Sequence, residues 1–500
     1  MSTIRRVLIA NRGEIALRIV RACHEEGLEA VAVYSAADRT SPYVRAADYA
    51  FPIGPPPAAE SYLAMDKLIA AAKSTGAEAI HPGYGFLAER AAFADTVTSA
   101  GLIFVGPPAD AIRAMGDKTE ARRRMIAAGV PVVPGATAPI ESETAALSLA
   151  QELGFPLMVK ATAGGGGRGM RIVRTEAELA PALATAASEA KKAFGDPAVY
   201  LERFVVAPRH VEIQVLADAD RTVHLGEREC SVQRRHQKLV EEAPSVAVSA
   251  ELRERMGAAA VAAAGAVGYR SAGTCEFLLA ADGQFYFLEM NTRIQVEHPV
   301  TELVYGVDLV REQLRIARGL PMTVPDRRPS PHGWAIECRI TSEDPAAGFL
   351  PGTGRVEYLR IPAGPGVRWD AGVDAGDEVT LFYDSLLAKL IVWAPDRPQA
   401  IDRMLRALQE LVLVGVPTNQ GFHRRLLADP AFRAGEVDIQ FLDRRADLLQ
   451  PARDPRLDTE LAIAAAMAED MARARRRPSV ADGSVAPSAW SRQGRADGLR

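Results

Sequence analysis

The chain has 500 residues, 48% hydrophobic and 24% charged, an ordinary globular composition that excludes disordered and collagen-like chains and leaves room for about three domains. Lys plus Arg number 59 against 63 Asp plus Glu, a net charge of −4, which argues against a chain-wide grip on nucleic acid or anionic lipid. No apolar run approaches the ~18 residues that would span a bilayer, and Val7–Ala10 is too short for a signal peptide.

The four cysteines, Cys23, Cys230, Cys275 and Cys338, lie far apart without a CxxC pair. They read as reduced thiols of a cytoplasmic protein. Only eight of the 59 cations are lysine, so each lysine is worth locating.

In chain order, Arg6–Ala10 reads as a buried strand, and Glu14–Glu26 has helical apolar spacing closed by Gly27. Ala30–Tyr34, Ala77–Ile80 and Leu102–Val105 read as further strands separated by helices. The alternation predicts a doubly wound parallel sheet over about 1–115. No GxGxxG follows the first strand. From 116 to 330 the pattern is α+β: a helix over Thr119–Ala128, then strands over Pro156–Ala161, Met170–Val173, Val199–Val205, Val211–Ala217, Thr222–Leu225 and Gly273–Met290. A small mobile lid is expected over about 131–205. Pro321–Pro331 reads as a linker, 333–445 as a mostly β unit, and 446–500 as a helix over Leu457–Arg477 followed by a disordered tail.

Asp282-Gly283 between two β-rich runs is a two-residue hairpin signal. With Ala281 opposite Gln284, Glu276 faces Glu289, and Asn291 falls on the same face. Like charges so placed need solvent, a shared proton or a cation. Two carboxylates and an amide oxygen suit Mg²⁺ or Mn²⁺; the other reading is an exposed polar face. If the chain stays extended, Arg293, Gln295 and Glu297 continue that edge.

Lys160–Met170 carries five glycines in six positions between two strands, without GK[ST]. It reads either as a phosphate-wrapping flap or as a flexible linker. Lys118 lies at a helix start, and Lys238 ends the cationic stretch Gln233–Lys238, which reads as a binding knot or a solvated charge run.

Together Ile9–Ala16, His81–Phe86, Lys160–Met170, Pro208–Gln214, Glu229–Lys238, Glu289–His298 and Glu337–Arg339 resemble, in order over about 1–445, the biotin carboxylase family of the ATP-grasp superfamily. The resemblance implies an ATP-grasp centre with a glycine-rich lid. It implies that bicarbonate is phosphorylated by ATP to carboxyphosphate and that the carboxyl group passes to N1′ of biotin. Glu276, Glu289 and Asn291 would hold Mg²⁺ or Mn²⁺, two ions. Lys118, Lys160, Gly166, Gly167, Gln233 and His236 would hold ATP, with Glu202, Arg203, Phe204, Val205 and His210 at the adenine. Lys238, Arg293, Gln295 and the Val296 N–H would hold bicarbonate, and Glu297 would be the base. Arg339 and Tyr84 would hold biotin, with Arg339 stabilising its enolate. Arg293, Glu297, Lys238 and Arg339 would form the catalytic set.

No Ala-Met-Lys-Met biotinylation motif occurs and no carboxyltransferase region follows. Biotin is therefore expected on a separate carrier protein. A carboxyltransferase subunit is the second expected partner, as in acetyl-CoA carboxylase or a propionyl-CoA, other acyl-CoA or pyruvate carboxylase. A homodimer is expected, with no nucleic-acid or membrane partner.

Overall fold

The computed structural model describes residues 4–136, 138–162, 170–325, 330–450, 455–476 and 493. Residues 1–450 form one compact unit and 451–500 a second. The glycine stretch 163–169, part of the linker and the tail beyond 476 lie outside the described residues, Gln493 excepted.

The first sheet contains β1 (Arg6–Ile9), β2 (Glu29–Ser35), β3 (Tyr49–Gly54), β4 (Ala79–His81) and β5 (Ile103–Phe104). All pairs are parallel, in the order β3-β2-β1-β4-β5. Alternate residues go to opposite faces. Val7, Ile9, Ala30 and Ala32 pack with Ile15 and Ile19 of the helix Gly13–Glu25, whereas Leu8, Val31, Val33 and Ile80 pack with Leu68, Phe93 and Val97. Both faces are covered, as a doubly wound sheet requires. β3 escaped the sequence reading because Pro52 cannot donate to a ladder; it is tolerated at the sheet edge.

A three-stranded antiparallel sheet follows: β6 (Leu157–Ala161), β7 (Arg171–Val173) and β8 (Val199–Arg203), in the order β7-β6-β8. Ala146, Ala150, Leu157, Val159, Leu179, Ala186 and Leu201 give it a core of its own.

The largest sheet is antiparallel and eight-stranded. Its first six strands are β9 (Arg209–Ala217), β10 (Thr222–Arg234), β11 (Gln237–Ala243), β12 (Ser271–Leu279), β13 (Phe285–Asn291) and β14 (Trp334–Thr341). The order is β13-β12-β9-β10-β11-β14, then Leu386–Ala394 and Val367–Ala371, so one sheet runs across the 330 region. The expected strand Thr222–Leu225 is the start of β10, which continues through the polar run Glu227–Arg234 past a register shift at Gly226 (φ +67°). From Arg397 onward helices dominate, and Arg397–Glu410 and Gln420–Ala428 bury Ile401, Met404, Phe422 and Leu426 against the sheet.

The second unit contains the helix Pro455–Arg476. All four cysteines are buried and unpaired. Among the described residues no helix is long and apolar enough to cross a membrane.

Candidate active site

A cleft of about 940 Å³ opens where the three sheets meet. Every site residue proposed from the sequence and lying among the described residues lines it, except Glu297. Gly166 and Gly167 lie outside the described residues.

At one end, Lys118 is the first residue of a helix capped by Asp117, whose carboxylate accepts the Thr119 and Glu120 N–H groups. Lys160 on β6 is ion-paired to Glu202 on the neighbouring β8. Past Glu202 the chain crosses to the large sheet through Arg203, Phe204 and Val205. The Arg203 N–H donates to Pro134 O at 2.8 Å and the Phe204 N–H to Pro156 O at 3.0 Å. On the large sheet, His210 Nδ1 stands 2.9 Å from Gln233 Nε2, which also donates to Cys230 O.

The β10–β11 connection is a two-residue turn, because Arg234 pairs with Gln237. Its residues Arg235 and His236 both have left-handed φ, +50° and +66°. That geometry normally calls for Asn-Gly, and Arg-His bears it with strain.

Glu276 does pair with Glu289, but not through a two-residue turn. Near the turn Leu279 pairs with Phe285 and Phe277 with Phe287, one residue out of the expected register. The loop therefore holds three residues, Ala281–Gly283. A bulge at Leu288 then restores the offset, bringing Glu289 opposite Glu276 and Asn291 opposite Thr274. The bulge turns Leu288 into the cleft wall, where it is 38% exposed.

Glu276 is buried and crowded with donors. Its Oε1 accepts Lys238 Nζ at 2.8 Å, Asn291 Nδ2 at 2.8 Å and Gln295 Nε2 at 3.3 Å, and its Oε2 lies 3.0 Å from His210 Nε2. Burial opposes ionisation, but Lys238 and His210 outweigh it and hold the carboxyl far below the usual range. Across the ladder, Glu289 faces the cleft. Desolvation first, then the Glu276 charge, push its carboxyl up. A divalent ion would relieve that conflict, and Glu276, Glu289 and the Asn291 amide oxygen are the hard donors it prefers. A second cluster brings His210, Glu212 and Glu276 within 4.8 Å of one another, but Lys238 already compensates it.

Lys238 is the hub of the opposite end. Its ammonium donates to Glu212 (2.5 Å), Glu276 (2.8 Å) and Glu297 (2.7 Å). The other Glu297 oxygen accepts Arg339 Nη2 at 2.9 Å. Glu297 is fully buried behind these two cations. Burial would raise its carboxyl, but Lys238, Arg339 and Arg228 hold it well below the ordinary value.

The expected extended edge beyond Asn291 does not form. β13 ends at Asn291, and Glu297 becomes the residue preceding the helix His298–Tyr305. The polar groups converge nonetheless. Arg293 donates to Gln295 Oε1 at 2.8 Å and Asn291 Oδ1 at 3.1 Å, and pairs with Glu89 at 3.0 Å. The Val296 carbonyl accepts Lys389 Nζ at 2.7 Å. The Tyr84 hydroxyl donates to Glu14, which pairs with the buried Lys389 at 3.1 Å.

The sequence reading missed two classes of residue. Met158, Leu278 and Leu288, on three separate strands, and Ile439, in a turn, are apolar walls, which periodicity assigns to core or surface. Glu212 and Glu241 anchor the cations from β9 and β11. An acid between apolar neighbours, Val211-Glu212-Ile213, was the available signal for Glu212; Glu241, beside Glu242, carried none.

Residues 3–112 match the family model described as biotin carboxylase, N-terminal domain. Residues 117–324 match carbamoyl-phosphate synthase L chain, ATP binding domain, and 337–444 match biotin carboxylase C-terminal domain. The chain is 53% identical over 438 residues to a biotin carboxylase of Nostoc sp., covering 87% of this chain and 98% of the relative. It is 50% identical over 439 residues to a pyruvate carboxylase subunit of Methanothermobacter thermautotrophicus, covering 88% and 89%. Among solved structures, it superposes with a TM-score of 0.85 and 45% identity on the biotin carboxylase domain dimer of Hydrogenobacter thermophilus 2-oxoglutarate carboxylase, in complex with MgADP, ADP and bicarbonate, covering 91% of this chain and 100% of that one. A Campylobacter jejuni biotin carboxylase nucleotide complex gives a TM-score of 0.84 at 44% identity, over 88% and 99%.

Proposed function

The chain belongs to the biotin carboxylase family of ATP-dependent ligases, and from that premise we propose that it carboxylates biotin borne on a separate carrier protein, using ATP and bicarbonate. One observation carries the reading: a single cleft has phosphate-type lysines at one end and, at the other, a carboxylate buried behind two cations.

Lys118, Lys160 and His236 hold the phosphates of ATP, and the Glu202–Val205 crossing with His210 and Gln233 holds the base, its flat ring against Met158, Leu278 and Leu288. Glu276, Glu289 and Asn291 would hold Mg²⁺ or Mn²⁺, which when bound screens the phosphate charge. Lys238, Arg293, Gln295 and the Val296 N–H hold bicarbonate. A bicarbonate oxygen attacks the γ-phosphorus, the bond to the β-phosphate oxygen breaks, and the bicarbonate proton passes to Glu297. An anion that draws Lys238 toward itself takes that cation's field off Glu297, whose proton affinity rises as the proton must be accepted. The C–O bond of carboxyphosphate then breaks; the released phosphate takes the N1′ proton, N1′ bonds the freed carboxyl carbon, and Arg339, with Tyr84 beside it, holds the biotin enolate oxygen meanwhile.

All eight lysines lie within helices or strands, which supports a carrier outside this chain. The active form is read as a cytoplasmic homodimer working with a carboxyltransferase partner. Acetyl-CoA is the acceptor carried from the sequence; the 50% identity to the Methanothermobacter pyruvate carboxylase chain favours pyruvate as the second reading. The test is Arg339→Ser: bicarbonate-dependent ATP cleavage should persist and biotin carboxylation should vanish. Equal loss of both would make Arg339 a structural residue and remove its role.

A further inference from the structure

Arg339 is held from below by an acid the reaction does not use. Glu241 Oε1 accepts Arg339 Nε at 2.6 Å and lies 2.5 Å from Nη2. Glu241 on β11 is paired in register with Glu337 on β14, and both are fully buried. Paired residues have Cβ atoms about 5 Å apart, so the two carboxyls share one small space.

Three oxygens in that space, Glu241 Oε2 and both oxygens of Glu337, have no hydrogen-bond partner among the described residues. Buried polar atoms are nearly always bonded, and a second buried negative charge without a donor is prohibitive. Cations facing the pair are committed elsewhere. Lys389, from the strand Leu386–Ala394, serves Val296 O and Glu14. Lys238, three residues back on β11, serves Glu212, Glu276 and Glu297. From the adjoining helix come Glu297, another negative charge, and His298, which burial keeps neutral. Tyr84 and Cys338 add no positive charge. Arg339 is the cation ion-paired to Glu241, and Glu297 shares it; Lys389 acts on Glu337 through its field without bonding it.

We propose that Glu241 and Glu337 share one buried proton, and that this acid–carboxylate pair positions Arg339 for the biotin step. The proton bridges one bare oxygen of each group, two of the three, and leaves the pair with one negative charge beside the Arg339 guanidinium. Loss of the proton would set two charges beneath Arg339 and draw it away from the cleft. Burial acts in the same direction on both groups, pushing Glu241 up to about 7 and Glu337 well above the ordinary carboxylate value.

The inference rests on Arg339 facing biotin, so two measurements on the full chain separate the parts. The first ignores turnover. An infrared difference spectrum of parent minus Glu337→Gln at neutral pH should show one protonated-carboxyl C=O band, and that band should move in Glu241→Gln. A difference spectrum showing only carboxylate bands overturns the shared proton. The second is kinetic. Glu337→Leu should lower biotin carboxylation roughly tenfold or more beyond any effect on bicarbonate-dependent ATP cleavage, the cost of an unmet partner to a charged group. Glu337→Gln, whose amide can donate to Glu241, should recover most of that loss and flatten the alkaline fall of the biotin rate. Equal loss of both rates, or an unaltered alkaline limb in Glu337→Gln, overturns the positioning role. If neither Glu337 variant folds, Glu241→Gln against the parent spectrum decides, since a band that stays in place leaves no shared proton.

Discussion

Glu297 is ionised because Lys238 and Arg339 each hold one of its oxygens, and the same contacts make it a poor proton acceptor until an anion competes for them. In the proposed reaction its task as base therefore depends on bicarbonate arriving at Lys238. Glu297→Gln keeps the shape and removes the acceptor. It should lower bicarbonate-dependent ATP cleavage by about 10²-fold or more with nucleotide affinity nearly unchanged; a loss of ATP affinity in a binding titration would contradict the assignment. The Glu276–Glu289 pairing was legible in the strand pattern, whereas Lys238 and Glu297 were placed beside it only by the family resemblance, since the extended edge expected beyond Asn291 does not form. The buried partners Glu212, Glu241 and Glu337 were not legible, because an acid on a strand declares its partner only once the strands are paired.

Two elements show where local reading succeeds for the wrong reason and where it fails. The Glu276–Glu289 pairing was foreseen from a two-residue turn, yet the real loop has three residues and the Leu288 bulge cancels the error. Sequence fixes neither loop length nor bulge here, because Asp-Gly serves several turn types. The Arg235-His236 turn gave no signal, since neither residue favours left-handed backbone; the strain is tolerated where His236 must face the cleft. Replacing the pair with Asn-Gly should raise the unfolding free energy by about 1–3 kcal/mol in a urea titration and lower ATP turnover; a less stable variant would contradict the strain. The helix Gln420–Ala428 offers a pH test. His423 Nε2 lies 2.8 Å from the Arg339 carbonyl, and burial lowers its value to about 4. The unfolded chain binds that proton near 6.5, so His423 costs stability as pH falls from 6.5 toward 4, by about 1.4 kcal/mol per pH unit. A His423→Gln variant should show that much shallower an acid slope, and an identical slope would contradict it.

At the scale of the molecule, the parallel sheet was legible because its strands are short, apolar and spaced by helices. The continuous eight-stranded sheet was not, because β11 and β14 pair across more than ninety residues of intervening chain. All described site residues lie within 1–450. Ending the chain after Gln450 should leave ATP cleavage and biotin carboxylation at parental rates, and a loss of either would assign the 451–500 unit a part in turnover. The most direct measurement is transfer of isotope-labelled bicarbonate to free biotin by the purified protein. The structure predicts acid-labile label on biotin that requires ATP and Mg²⁺ and matches ADP formed above the biotin-independent rate. ATP cleavage indifferent to bicarbonate, with no label on biotin, would contradict it.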